Sequence, residues 1–111
     1  MTIKFLDLHE TYIELKEEID NAIALSLDSG YYILGSEVSQ FELDYSKYCN
    51  VDYTIGVANG LDAIYLALLS LDIGPGDEVI VPSNTFIASW LAITHSGAIP
   101  VPVEPDIKTY N

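Results

Sequence analysis

The residues best placed to do chemistry lie at a sharp corner in the middle of the chain. A β-branched run, Tyr53–Val57, stops at Ala58-Asn59-Gly60 and passes directly into the helix-forming stretch Leu61–Leu69. A strand, a tight corner and a helix together aim free backbone N–H groups at an anion. Gly60 lacks a Cβ, so it can take a positive φ and lets a phosphate approach the backbone closely. By itself the corner fits either an anion site or an ordinary α/β turn.

The net charge limits the classes of partner. The 111 residues carry a net charge of −13, with four lysines and no arginine. A surface that follows nucleic-acid phosphates or an anionic membrane needs clustered Lys or Arg, so neither nucleic acid nor a membrane is a predicted partner. An anionic ligand would need cations as well as amide donors, and we expect such cations to come from elsewhere.

Few residues suit a metal or a disulfide. Cys49 is the only cysteine, which fits a reducing, cytoplasmic compartment, and the N-terminus shows no secretory signal. His9 and His95 are the only histidines, so the sequence predicts no metal site. The uncharged stretch 79–103 is interrupted by prolines and polar residues, and its unbroken apolar part is shorter than the roughly 20 residues that a membrane span needs.

The hydrophobic spacing ahead of the corner predicts two helices. One amphipathic helix has an apolar face and stops at Ser29-Gly30. That face consists of Tyr12, Leu15, Ile19, Ile23 and Leu27. A second helix is predicted to take Ser36 as its N-cap, to carry Glu37 in its first turn and to close at Asn50.

Beyond the corner, the pattern predicts alternating helices and strands, which is typical of a parallel α/β sheet. The predicted elements are helix Leu61–Leu71, strand Glu78–Val81, helix Phe86–Thr94 and strand Ile99–Val103. Pro100 and Pro102 lie two apart, so both missing N–H groups face one side and the last strand is predicted to lie at a sheet edge.

Six landmarks follow one another along the chain. They are Phe5–Leu8, Ser29–Gly35, Asn59-Gly60, Gly74–Pro82, Gly97-Ala98 and Thr109–Asn111. In this order they resemble the first part of the DegT/StrS family of pyridoxal-phosphate-dependent sugar aminotransferases. The resemblance implies an α/β fold, the truncated N-terminal part of the fold-type I large domain with its three-layer αβα sheet. Residues 1–50 would form an N-terminal helical segment, and residues 51–111 would begin the cofactor-binding large domain, which is incomplete here.

The resemblance also assigns site residues. The cofactor would be pyridoxal 5'-phosphate, with its phosphate held at Asn59, Gly60, Leu61 and Asp62. Phe86 matches the aromatic residue that stacks on the pyridine ring, where an aromatic contact contributes about 0.5–1.5 kcal/mol beyond burial. A core aromatic at the start of a helix is the alternative for Phe86. The preceding Ser83, Asn84 and Thr85 are either helix caps or ligands.

Two further assignments concern the substrate. Tyr31 and Tyr32 match a loop that lines the sugar-nucleotide entrance in relatives; packing between two helices is the alternative. Many relatives have Ser or Thr where this chain has Leu61. An apolar residue there resembles the branch that acts on 3-keto sugars of deoxysugar pathways, as do Trp90 and Val101–Pro105.

The resemblance implies an aminotransferase that aminates a nucleotide-linked keto-deoxysugar with glutamate as donor, working as a homodimer when full length. Such catalysis needs a Schiff-base lysine and a carboxylate at the pyridine nitrogen, and in the family both lie beyond the position of Asn111. None of the four lysines here matches that lysine. We therefore expect an N-terminal fragment that is inactive alone. The open alternatives are a related sugar dehydratase, and a non-catalytic remnant, sensor or binding protein; a free-standing flavodoxin-like module fits poorly.

Strand order in the family predicts how this chain behaves by itself. Glu78–Val81 would pair with Ile99–Val103, whereas Tyr53–Val57 would lie at the far side, beside strands that are absent here. Tyr53–Val57 would then have no partner. The apolar side chains expected to be exposed are Leu66, Leu68, Leu69, Trp90 and Leu91.

Overall fold

The computed structural model describes residues 4–110, and the chain divides into two compact units between Gly56 and Val57. We call the part before this point the helical unit and the part after it the α/β unit. Among residues 4–110, no helix combines the length and the apolar character needed to cross a membrane.

The helical unit contains three helices, α1 (Leu8–Glu14), α2 (Lys16–Ser29) and α3 (Ser36–Cys49). The single amphipathic helix predicted over this region is therefore wrong: α1 ends at Leu15, which takes non-helical angles before α2 begins. The apolar period continues across Leu15, so periodicity could not locate the break. The predicted stop is confirmed, because Gly30 caps α2 in the left-handed conformation at φ 70°.

A polar cluster spans the break between α1 and α2. The Tyr12 hydroxyl donates to Asp20 at 2.9 Å, and the Lys16 ammonium donates to both Tyr12 and Asp20. The bond to Asp20 raises the pKa of Lys16 above its usual value, and the same bond lowers the pKa of Asp20. Because these groups are exposed, we assign the cluster a local role in holding the two helices together.

The start of α3 differs from the prediction by one residue. Gly35 is the N-cap, in extended conformation, and Ser36 is the first helical residue, so Ser36 is not the cap. A Cβ on Gly35 would lie 3.0 Å from the Tyr31 carbonyl oxygen, which explains why a glycine stands here. Glu37 lies in the first turn and Asn50 ends the helix at φ 53°, both as predicted.

The predicted strand Tyr53–Val57 does not form among the described residues, where the backbone is irregular. Tyr53 and Ile55 are 86% and 78% exposed. The Gly56 N–H donates to the Glu42 carboxylate at 2.7 Å instead of entering a ladder. A strand needs a neighbour to receive its hydrogen bonds, and the absence of a strand agrees with the expectation that this segment has no partner here.

The α/β unit contains two helices and two strands. They are α4 (Gly60–Ser70), β1 (Glu78–Pro82), α5 (Ile87–Ser96) and β2 (Ile99–Val103). The strands pair in parallel, with Glu78 opposite Ile99 and Pro82 opposite Val103. The α/β class and the β1–β2 pairing are confirmed, whereas the predicted helix ends are off by one or two residues.

The edge position of β2 follows from its hydrogen bonds. The Ile99 N–H donates to Asp77 at 2.9 Å, and the Val103 carbonyl accepts from Ser83 at 3.0 Å. Residues that bond to the neighbouring strand alternate along a parallel pair, so the second and fourth residues of β2 turn their backbone groups to the opposite side. Pro100 and Pro102 are those residues, so both missing N–H groups face the open edge, as predicted.

A small core lies where α4, α5 and the strands meet. Leu68, Val81, Ile93 and Ala98 form it, and Trp90 packs against it while half-buried. The expectation that truncation exposes Leu68 and Trp90 is therefore wrong, because α4 and α5 pack together and the β1–β2 pair covers these side chains. The remaining three, Leu66, Leu69 and Leu91, are exposed as predicted.

Candidate functional site

The corner before α4 is organised by one side chain. Asn59 is the N-cap: its Oδ1 accepts from the Asp62 N–H at 2.9 Å, and its carbonyl accepts from the Ala63 N–H at 3.1 Å. In return its Nδ2 donates to the Asp62 carboxylate at 3.0 Å. Helix geometry leaves the first N–H groups without intrahelical acceptors. In the first turn of α4, the N–H groups of Gly60 and Leu61 have no acceptor among residues 4–110 and are available to a ligand.

Gly60 contributes space rather than an unusual backbone conformation. Gly60 does not use its freedom to take a positive φ, because the positive-φ glycines of the described chain are at other positions. A Cβ built on Gly60 would meet nothing within 4 Å. The approach to the two free N–H groups is therefore open.

The corner opens onto a cleft of about 540 Å³ inside the α/β unit. Its lining residues come from the starts of two helices and are Asn59, Gly60, Leu61, Ile64, Phe86, Ala88 and Ser89. The start of α5 also has no side-chain cap bond, since its N-cap is Phe86. Two positively polarised helix ends thus border one cleft, an arrangement that favours an anion.

Phe86 lies at the entrance of this cleft and not in the core. Its side chain is 79% exposed, so the core-aromatic alternative does not describe its place in this unit. An exposed ring beside two free N–H groups can offer its face to a planar aromatic ligand.

Three lining residues were not predicted from the sequence: Ile64, Ala88 and Ser89. Ile64 and Ser89 stand three positions after Leu61 and Phe86, so helical spacing could have placed each pair on one face. The Ser89 hydroxyl lies 3.1 Å from the Thr85 hydroxyl. Thr85 therefore does not cap α5, and its hydroxyl is bonded to Ser89.

The other predicted site residues divide between the units. Asp62 belongs to the corner but does not line the cleft, and its N–H and carboxylate are both bonded to Asn59. Tyr31 and Tyr32 lie in the helical unit and are 77% and 69% exposed. The Tyr32 hydroxyl donates to the Leu27 carbonyl at 3.2 Å, and the Tyr31 ring is open to a ligand.

No cation is found among the residues that line the cleft. Three of the four lysines make salt bridges on the surface of the helical unit, to Asp7, Asp20 and Asp44. The fourth, Lys108, is exposed. The cleft therefore offers amide donors, helix ends and an aromatic ring. These fit the phosphate and ring of pyridoxal phosphate, but supply neither a lysine nor a counter-cation.

Two curated relatives share more than half of their aligned residues with this chain. A dTDP-3-amino-3,4,6-trideoxy-alpha-D-glucose transaminase of Streptomyces venezuelae is 58% identical over 103 residues, which are 93% of this chain and 27% of that protein. A dTDP-3-amino-3,6-dideoxy-alpha-D-galactopyranose transaminase of Aneurinibacillus thermoaerophilus is 58% identical over 109 residues, 98% of this chain and 30% of that protein.

Solved structures agree with the fold. The crystal structure of S. venezuelae DesV in complex with a ketimine intermediate superposes with a TM-score of 0.89 at 58% identity, covering 94% of this chain and 28% of that chain. The PLP-form of a sugar aminotransferase from Streptococcus pneumoniae gives a TM-score of 0.78 at 36% identity, covering 99% of this chain and 27% of that chain.

The chain thus spans 27% and 30% of the length of these two curated relatives. The family model described as the DegT/DnrJ/EryC1/StrS aminotransferase family matches residues 13–111. The sequence landmarks, the parallel α/β unit and this match lead to one conclusion: the chain belongs to the DegT/DnrJ/EryC1/StrS aminotransferase family.

Proposed function

We propose that this chain forms part of the cofactor site of a pyridoxal-phosphate-dependent aminotransferase that aminates a nucleotide-linked keto-deoxysugar. The observation that carries the proposal is the single cleft that brings the Asn59–Leu61 corner and Phe86 together. A phosphate suits the corner and an aromatic ring suits Phe86.

The role of each residue follows from the geometry. The N–H groups of Gly60 and Leu61 would donate to the phosphate, and the dipole of α4 would favour its negative charge. Asn59 fixes the helix start, with Asp62 as its partner. Phe86 would stack on the pyridine ring of the cofactor. The bound cofactor supplies the electron sink for moving an amino group.

The substrate class is part of the same proposal. Both curated relatives are named as transaminases of 3-amino deoxysugars linked to dTDP. A nucleotide-linked 3-keto-6-deoxyhexose is therefore the proposed acceptor, with glutamate as amino donor and Tyr31 and Tyr32 beside the sugar nucleotide. These names favour an aminotransferase over the related dehydratase.

The lysine and the pyridine carboxylate are proposed to come from segments outside these residues, because the chain spans less than a third of each relative. A homodimer in a reducing, cytoplasmic compartment completes the proposal. The exposed free thiol of Cys49 is compatible with such a compartment.

Borohydride reduction tests the proposal. The complete protein that contains this chain is incubated with one equivalent of pyridoxal phosphate, reduced and digested for mass spectrometry. We expect one stoichiometric pyridoxyl-lysine outside this chain and none at Lys4, Lys16, Lys47 or Lys108. The 111-residue chain alone is expected to bind weakly and to give no stable adduct. A stoichiometric adduct on any of the four lysines would contradict the proposal that the Schiff-base lysine lies outside this chain.

The ring contact has its own test. Phe86→Ala in the complete protein is expected to raise the Kd of pyridoxal phosphate about tenfold, equivalent to about 1.4 kcal/mol, because the ring face is lost. Equilibrium dialysis measures the Kd. Phe86→Tyr keeps the aromatic face and serves as the matched control with near-unchanged affinity. Unchanged affinity in Phe86→Ala would show that the Phe86 ring does not contact the cofactor.

A further inference from the structure

Asp62, the partner of Asn59, places a negative charge in the first turn of α4, close in sequence to the N–H groups proposed to bind a phosphate. Asp62 lies in the first turn of α4, where the helix dipole attracts anions. A phosphate bound at Gly60 and Leu61 would share that dipole with the carboxylate and be repelled by it. An acidic residue in this turn therefore stabilises the helix but opposes the ligand.

The structure shows how this conflict is contained. The Asn59 Nδ2 donates to the Asp62 carboxylate at 3.0 Å, and Asn59 Oδ1 accepts the Asp62 N–H at 2.9 Å. Asp62 does not line the cleft, although both Asn59 and Leu61 do. The amide of Asn59 holds the carboxylate beside the cap, and Asp62 is not among the residues that line the cleft.

We propose that Asn59 and Asp62 are positioning residues which together set the affinity of the corner for phosphate: Asp62 lowers it, and the Asn59 amide limits the loss. The inference rests on the proposed function, and it assigns both residues to positioning rather than to direct contact with the phosphate. Asp62 is not itself a phosphate ligand, because its N–H already donates to Asn59. The backbone N–H groups of Gly60 and Leu61 make the contact with the phosphate.

An ordinary helix cap gives a different expectation. A cap residue and an acidic residue three positions later commonly stabilise a helix start by exchanging hydrogen bonds. If the pair did only that, every substitution would lower stability and none would tighten ligand binding. The sign of the change in affinity therefore separates the two roles.

The test compares variants of the complete protein by equilibrium dialysis against pyridoxal phosphate and against pyridoxal, which lacks the phosphate. Asp62→Asn keeps an oxygen for the Asn59 amide but removes the charge. We expect about fivefold tighter binding of pyridoxal phosphate, no change for pyridoxal, and a smaller gain at high salt. The melting temperature is expected to fall slightly or stay constant.

Two further variants sharpen the test. Asn59→Ser retains a good cap acceptor but loses the amide donor, so pyridoxal phosphate should bind about threefold more weakly. The double variant with Asp62→Asn should regain the lost affinity, because no carboxylate remains to be held. Glu37→Gln is the matched control, since it removes one charge from the first turn of α3 in the helical unit.

The outcomes are distinct. Unchanged or weaker binding of pyridoxal phosphate in Asp62→Asn, or equal changes for both ligands, would overturn the inference and leave the pair as a simple cap. Failure of the unsubstituted protein to bind pyridoxal phosphate would instead overturn the proposed function, and this inference with it.

Discussion

Leu61→Asp is expected to weaken the binding of pyridoxal phosphate by the complete protein about 100-fold. Leu61 occupies the first turn of α4 and lines the cleft, half-buried, beside its own free N–H. A carboxylate there would face the phosphate directly, and no lining residue could neutralise it. Unlike Asp62, the new carboxylate would have no amide partner to hold it away. Titration followed by cofactor absorbance measures the loss.

Two replacements at the same position separate charge from shape. Leu61→Asn has nearly the size of Asp without its charge and should lose far less affinity. Leu61→Ser adds a hydroxyl donor and should be tolerated. A hydrogen bond from this hydroxyl to the charged phosphate contributes about 1.5–3 kcal/mol, which offsets the loss of the apolar side chain. Equal losses in Leu61→Asp and Leu61→Asn would show that the apolar side chain matters for packing and that the phosphate lies elsewhere.

The 111-residue chain by itself is expected to show no cooperative unfolding transition and no strong amide protection at Tyr53–Val57. Five hydrophobic residues are buried among those described, all in the α/β unit, and α1 and α2 bury none. A two-stranded sheet is marginal in water, and exposed edges and apolar surface promote association. The net charge of −13 opposes association but provides no core.

Light scattering and hydrogen exchange check this expectation. The chain alone should be polydisperse, with exchange at Tyr53–Val57 close to that of an unfolded peptide. A chimera in which this chain replaces the matching segment of the S. venezuelae transaminase is the control, and the same peptides should become protected in it. A monodisperse chain with strongly protected amides at Tyr53–Val57 would contradict both the strand order and the lack of a partner.

Local signals in the sequence were sufficient to predict most of the secondary structure of the α/β unit. Alternating hydrophobic runs located β1, α5 and β2, and glycines at the helix ends marked where the backbone turns left-handed, as at Gly30 and Gly97. The two prolines of β2 predicted its edge position, because a missing N–H is a property of the residue itself. The motifs around Asn59 and Gly74–Pro82 were sufficient for the family.

The tertiary structure decided what depends on neighbours. Tyr53–Val57 has the composition of a strand, yet a strand forms only when another backbone accepts its hydrogen bonds. The break at Leu15 lies inside an uninterrupted apolar period, so local pattern could not reveal it. Leu68 and Trp90 are covered because α4 meets α5, a packing between helices that no single helix encodes.

The candidate site shows the same division. Sequence and resemblance together named the corner residues and Phe86, and the structure brings three of those corner residues and Phe86 to one cleft. Sequence alone determined that the chain has too few cations to hold an anion by charge, so amide donors here and cations from elsewhere are expected to hold it. Only the three-dimensional arrangement showed that Asn59 exchanges two hydrogen bonds with Asp62, because side-chain hydrogen bonds depend on distances of a few ångströms that spacing does not define.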